Sequence, residues 1–285
     1  MINSMKTRRK IANTVVYIAL GVLSVIWLIP IAYLLIKSFQ GEAGAYLDGY
    51  IIPRQWTFSN YTRLFTDTAQ FNYPRWFLNT FIVAIFSCLI ATCFVLFTSY
   101  AFSRLRFRLR RPMMNVVLVL GMFPGFMSII AVYHLIGLIG LEQSLVALVL
   151  IYSGGAGLGY YIMKGFFDTI PAALDESAYL DGCTKWQTFL KITLPLSRPV
   201  MTYTVLTAFI GPWVDYICAS VIMKDNYNNF TIALGLFRML ERESVYQWYT
   251  AFTAGAVLVS IPIAALFMVM QKNYVEGVTG GSVKG

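Results

Sequence analysis

Two short constellations in this sequence carry groups arranged for more than packing. The first lies in KGFFDTIPAALDESAYLDGCTKWQTFLKITLPLSR, residues 164–198, and is centred on Glu176, Ser177, Ala178, Asp181 and Gly182. Asp168 or Thr169 is placed to cap a helix that opens at Pro171, because proline suits a first helical turn. Asp175 and Glu176 fall early in that helix, where the positive dipole end favours acids. Asp181-Gly182 ends it, since glycine tolerates the left-handed conformation a helix end often needs. Thr184-Lys185-Trp186-Gln187 is a capping-box pattern for a second helix. Trp186, Phe189, Leu190 and Leu194 form its apolar stripe, and Pro195 is expected to stop it. Two amphipathic helices joined by a tight turn must bury their stripes against their own bundle or against a partner. That is mechanical chemistry rather than bond-making. The second constellation is Gly211-Pro212-Trp213-Val214-Asp215-Tyr216, inside an apolar run. An acid at membrane depth is costly and usually faces a cavity or a partner. Pro212 frees a backbone carbonyl that neighbouring groups must satisfy. Trp213 and Tyr216 offer ring faces of the kind that stack on sugars, so Asp215, Trp213 and Tyr216 are candidate translocation-path residues. Helix–helix packing is the competing reading of the same residues.

Other chemistry is thinly represented. His134 stands alone in an apolar segment, and Cys88, Cys93, Cys183 and Cys218 show no CxxC or metal-ligand spacing. No metal, no cofactor and no catalytic cluster is expected of this chain. No G-x-x-x-x-G-K-[ST] run occurs, so the chain is not expected to bind ATP by that route. It is read as a non-enzyme.

The elements that must position these residues are membrane helices. The chain has 285 residues, 58% hydrophobic, 16% aromatic and only 12% charged, where soluble chains carry roughly 25% charged residues. Six apolar runs are long enough to span a bilayer: Ile11–Ile36, Trp76–Phe102, Met113–Ile139, Ser144–Met163, Pro199–Met223 and Thr250–Met270. The first follows Lys6, Arg8, Arg9 and Lys10. It exceeds a signal-peptide core and lacks an A-x-A cleavage pattern, so it reads as an uncleaved anchor. The net charge of +9 sits in short segments between apolar runs, which reflects topology and not nucleic-acid binding. Basic residues crowd the amino terminus, the 104–111 loop, the 164–198 loop and the tail, so both termini are placed in the cytoplasm. The chain then divides into a cytoplasmic start (1–10), a first span with an external segment (11–75), a membrane domain (76–272) and a cytoplasmic tail (273–285). Segments 38–75 and 224–249 face outward and are long enough to fold locally. Gly154, Gly155, Gly157 and Gly159 suit close helix packing in the fourth span, with a hinge or a flexible wall of a pathway as the alternative reading.

Glu176-Ser177-Ala178, Asp181-Gly182 and Ile192-x-Leu194-Pro195-Leu196 together resemble the EAA motif of ABC importer permeases, with Ser177 where alanine is common. Tyr100-Ala101-Phe102-Ser103-Arg104, Met122-Phe123-Pro124, Met163–Pro171, Thr231–Leu236 and Gly277–Gly285 extend the resemblance to the carbohydrate type, and among these to the smaller permease of maltose/maltodextrin importers. The resemblance implies an all-α, six-span type I importer permease fold with a cytoplasmic coupling helix. It implies a heterodimer with a second permease, two ATPase subunits carrying ATP and Mg, and an extracytoplasmic sugar-binding protein. Glu176, Ser177, Ala178, Asp181, Gly182, Leu194 and Pro195 would couple to the ATPase. Glu176 would supply a charge, Ala178 close approach and Gly182 the turn. Maltodextrin is the first expected cargo, with galacto- or arabinogalacto-oligosaccharides as the alternative. An ion-coupled secondary transporter is disfavoured, because Asp215 has no evident intramembrane acidic partner.

Overall fold

The computed structural model describes residues 5–42, 46, 50–122, 125–155 and 159–280, and of residues 5, 6, 126 and 273–280 it describes the backbone alone. The described residues form helices and no named strand, with one isolated antiparallel bridge, Gln40 to Trp56. The chain forms two compact units, Met1–Thr68 with Met239–Leu258, and Ala69–Arg238 with Val259–Gly285.

In the first unit, α1 (Met5–Ser38) is apolar on every side, and none of its best 18-residue window is buried. A helix with no polar face and no protein cover belongs in lipid or against another membrane subunit. Only its last turn is enclosed. Lys37 Nζ donates to Gln40 Oε1 at 2.7 Å and to the Tyr50 carbonyl. Asn60, on α2 (Ser59–Thr66), donates to the carbonyls of Ser38 and Gln40 at 3.0 and 2.8 Å. Arg63 lies 3.7 Å above the Trp248 ring and donates to the Gln247 carbonyl at 2.7 Å. The described residues of the 38–68 stretch therefore have local structure, as the length of the segment suggested.

The second unit is built around α3 (Tyr73–Arg104), which packs along α6 (Leu145–Gly154), α7 (Gly159–Thr169) and α11 (Arg198–Val214). Asn72 caps α3 by accepting from Arg75 N, and Pro74 sits in its first turn. Small and β-branched residues, among them Val83, Ala84, Ala91 and Val95, face inward and let the neighbours approach closely. At the far end, Asn79 donates to the carbonyls of Asn228 and Phe230 at 2.9 and 3.0 Å. There α13 (Ile232–Met239) meets α3 so tightly that a Cβ on Gly235 would lie 2.0 Å from Trp76 Cε3.

Three of the six expected spans depart from single straight helices. The Met113–Ile139 run is divided into α4 (Arg110–Gly121) and α5 (Gly125–Leu138), with Phe123 and Pro124 outside the described residues. The Ser144–Met163 run becomes α6 and α7, bent by 42°, with Gly157 outside the described residues. The Pro199–Met223 run becomes α11 and α12 (Ile217–Met223), bent by 57°. Three helices are long and apolar enough to cross a membrane outright, or up to five if each bent pair is one span. The last is in α14 (Val245–Gly280), and residues 281–285 of the expected tail motif lie outside the described set.

Candidate functional site

The 164–198 loop forms the expected pair of helices, with different wiring at its start. α8 (Ala172–Leu180) begins after Pro171, which holds an extended ψ of 131° and is the capping position itself. Neither Asp168 nor Thr169 caps it. α7 runs on through Thr169, so both residues belong to the preceding helix. There Asp168 takes bonds from Lys164 Nζ at 2.5 Å and Ser103 Oγ at 2.7 Å. Thr169 Oγ1 bonds back to the Phe166 carbonyl at 2.7 Å.

α8 ends as its Asp-Gly pair foretold. Gly182 has φ +83°, Cys183 N bonds to the Ala178 carbonyl at 2.8 Å, and Gly182 N bonds to the Tyr179 carbonyl at 3.1 Å. These are the two bonds of a Schellman cap, which needs a left-handed residue at this place. Thr184 Oγ1 accepts from Gln187 N at 3.2 Å and Gln187 Oε1 accepts from Thr184 N at 2.8 Å, completing the capping box of α9 (Lys185–Thr188). Pro195 does not stop this second helix. A π-helical turn (Phe189–Thr193) precedes it and α10 (Leu194–Leu196) contains it. The wider turn lies where the proline ring forbids the regular hydrogen bond of the previous turn.

The two helices bury different amounts of themselves. Phe189 is enclosed, its ring 4.7 Å from that of Tyr100 and 5.9 Å from that of Phe97, and Leu194 packs on the same cluster. Trp186 rests one face on Phe97 and Phe189 while staying 55% exposed. The stripe of the second helix is thus satisfied only in part within the chain: Phe189 is buried and Leu194 half-buried, while Trp186 and Leu190 stay exposed. α8 turns only Asp175 and Ala178 inward. Glu176, Ser177, Asp181 and Gly182 are exposed, and Leu180 is 89% exposed. Ala178, expected to allow close approach of another subunit, instead meets the chain's own bundle, because it follows Asp175 by three residues on the same helical face.

Sequence reasoning took the residues that hold this element only as part of the resemblance and assigned them no role. Tyr100, Ser103 and Arg104 fill the last turn of α3. Tyr100 Oη donates to the Lys185 carbonyl at 3.1 Å, and Arg104 Nη2 donates to the carbonyls of Phe167 and Ile170 at 2.9 and 2.8 Å. Their signal was an arginine closing a long apolar run, with hydroxyls one and four residues before it on the same end.

The second constellation is split by the structure. Trp213 is 2% exposed and packs on Phe77, Phe81 and Phe209. The Tyr216 ring lies 4.2 Å from that of Phe237. Asp215 sits at the break, in extended conformation, and its Oδ1 accepts from Cys218 N at 3.0 Å at the start of α12. Asp215, Tyr152, Ser128, Gly154 and Cys218 line a cavity of about 630 Å³, otherwise apolar. Asp215 alone of the three faces that space. Among the described residues no cluster of His, Cys, Asp or Glu has the form of a metal site.

Residues 95–280 match the family model described as binding-protein-dependent transport system inner membrane component. The galactooligosaccharides transport system permease protein GanQ of Bacillus subtilis (strain 168) is 36% identical over 286 residues, covering 100% of both chains. The maltodextrin transport system permease protein MalD of Streptococcus pneumoniae (strain ATCC BAA-255 / R6) is 34% identical over 288 residues, again covering 100% of both. The maltose/maltodextrin transport system permease protein MalG of Escherichia coli (strain K12) is 30% identical, covering 88% of this chain and 90% of that one. A chain of a bacterial ABC transporter importing the acidic polysaccharide alginate shares the fold, with TM-score 0.77 at 22% identity over 95% of this chain and 99% of that one.

Proposed function

This chain belongs to the family of binding-protein-dependent transport system inner membrane components, and we propose that it is the smaller of two permeases that together form an oligosaccharide path, with maltodextrin as first cargo. It is a permease subunit of a carbohydrate ABC importer, a membrane protein and not an enzyme. In the proposed assembly it pairs with a second permease, two ATPase subunits and an extracytoplasmic sugar-binding protein, in the bacterial cytoplasmic membrane. ATP and Mg belong to the ATPase subunits. The chain crosses six times, with the divided runs each counted as one span and both termini in the cytoplasm.

One observation carries the coupling role. α8 presents Glu176, Ser177, Asp181, Gly182 and Leu180 to the outside of the bundle, while the following helix anchors itself inward through Thr188 and Phe189. A short helix with a bare apolar tip and an exposed acid is supported as a docking element by its shape alone, and the EAA resemblance assigns the ATPase as the surface it meets. Leu194 and Pro195 shape the return of the loop into α11. Asp215 and its cavity are the proposed contribution to the path, with Trp213 and Tyr216 holding the helix break in place.

The cargo has a second reading with specific support. The galactooligosaccharide permease is 36% identical over the full length, beside 34% for the maltodextrin permease. The test is uptake by proteoliposomes holding both permeases and the ATPase, with the binding protein outside and ATP inside. ATP-dependent import of maltodextrins is expected. Import of galacto-oligosaccharides alone would move the cargo to the second reading, and no ATP dependence with any sugar would reject the transport reading.

A further inference from the structure

α8 is held to the bundle by very little. Of its two inward residues, Ala178 offers one methyl group and Asp175 a charge, and the more exposed Tyr179 adds an interaction with the Tyr100 hydroxyl. Its Oδ2 lies 3.1 Å from Nε of Arg104, with the two side chains 8% and 13% exposed. Arg104 is the last residue of α3, and its Nη2 takes the carbonyls of Phe167 and Ile170, at the end of α7 and just beyond it. One guanidinium therefore joins α3, the end of α7 and α8. Ser103 beside it bonds Asp168, and Tyr100 a turn earlier bonds the Lys185 carbonyl and packs on Phe189. Both helices of the loop are tied to a single turn of the helix around which the second unit is packed.

A buried ion pair is a weak source of stability, because desolvation offsets the attraction. Once formed it resists separation, since each charge pulled from its partner is left in a poor solvent for it. The planar, forked donors of arginine fix its direction through the Phe167 and Ile170 carbonyls, and its Nε meets the Asp175 carboxylate by charge without a hydrogen bond. We propose that Arg104 is a positioning residue, and that the Arg104–Asp175 pair carries displacement of α8 into α3. This rests on the reading of α8 as the coupling helix and adds the route by which its motion reaches the spans.

The test uses the full reconstituted complex and measures sugar imported per ATP hydrolysed, alongside the amount of complex recovered. Asp175→Asn keeps the size of the side chain and removes its charge. It is expected to lower sugar per ATP about five-fold at normal complex recovery, and Arg104→Gln with Asp175→Asn is expected to be no worse than either change alone, as for residues acting as one unit. A merely structural pair would lower recovery and leave the ratio unchanged, and an unchanged ratio in recovered Asp175→Asn complex overturns the proposal. If that complex assembles poorly, Ser103→Ala, which loosens the same turn from its more exposed side, should still lower the ratio about two-fold, and an unchanged ratio there counts equally against the proposal. A wild-type complex that imports nothing on ATP would overturn the transport reading instead, and this route with it.

Discussion

Gly182 holds φ +83°, and a Cβ built there meets nothing within 4 Å. The constraint is therefore backbone conformation, not space. A left-handed residue with a side chain costs roughly 1–2 kcal/mol, more for β-branched residues and less for asparagine. Gly182→Val should leave the subunit inserted and uncouple ATP hydrolysis from uptake, while Gly182→Asn should keep most uptake. Immunoblots of membranes beside sugar uptake check the pair, and equal uptake by both variants would remove the turn from the mechanism. Gly235 is constrained the other way. Its Cβ would strike the Trp76 ring, so Gly235→Ala should sharply reduce assembled subunit, visible as loss of a monodisperse peak in detergent chromatography. Asp181-Gly182 was readable because an Asp-Gly pair after an amphipathic stretch is a local signal. Gly235 was not, because the ring that constrains it comes from a distant part of the chain. Asp175 looked like one more acid near a helix start, and only the fold brings Arg104 to it.

At the scale of elements, local grammar was readable where the partner lies within a few residues. The Thr184–Gln187 capping box and the Gly182 cap formed as written. The start of α8 and the passage through Pro195 were not readable, since both depend on how α7 and the π-helical turn meet the bundle. Hydropathy also reports length and not direction, so the bends in the fourth and fifth runs left no trace in it. Pro212 and Asp215 hinted at the bend in the fifth run, and the glycines at 154, 155 and 159 at the bend in the fourth. Phe189 anchors the second loop helix, and Phe189→Ala should cost about 3–5 kcal/mol and lower the thermal midpoint of the detergent-solubilised complex. In the first unit, Glu42 clasps the 50–57 stretch by accepting from Arg54 N and, at 2.8 Å, Gln55 N. Burial raises its pKa, but those N–H bonds outweigh it and the net shift is downward from 4.5. A lowered folded value means the clasp contributes above the ordinary carboxylate range and is lost as pH falls through the lower value. Amide exchange at Arg54 and Gln55, corrected for intrinsic rates, should keep constant protection from about pH 7 to 5 and lose it below the carboxylate range. Protection unchanged at acid pH would show that Glu42 does not hold this segment.

At the scale of the whole molecule, composition already demanded a membrane protein, and charge asymmetry led to the expectation that its basic loops share one side. α1 extends that demand, since a helix with no buried face within its own chain needs lipid or another subunit around it. What the chain could not disclose by itself is the sugar, because Asp215 is the one acidic side chain among the residues lining the apolar cavity and reads no stereochemistry. The central claim is that α8 lies on the cytoplasmic side and touches a nucleotide-hydrolysing subunit. A single cysteine at exposed Ser177, with Cys88, Cys93, Cys183 and Cys218 replaced, tests this in intact cells and in purified complex. The account predicts that an impermeant thiol reagent added outside leaves the Ser177→Cys site unlabelled, and that a short bifunctional reagent links it to the ATPase subunit. Labelling from outside, or no link to any ATPase in an actively transporting complex, would contradict it.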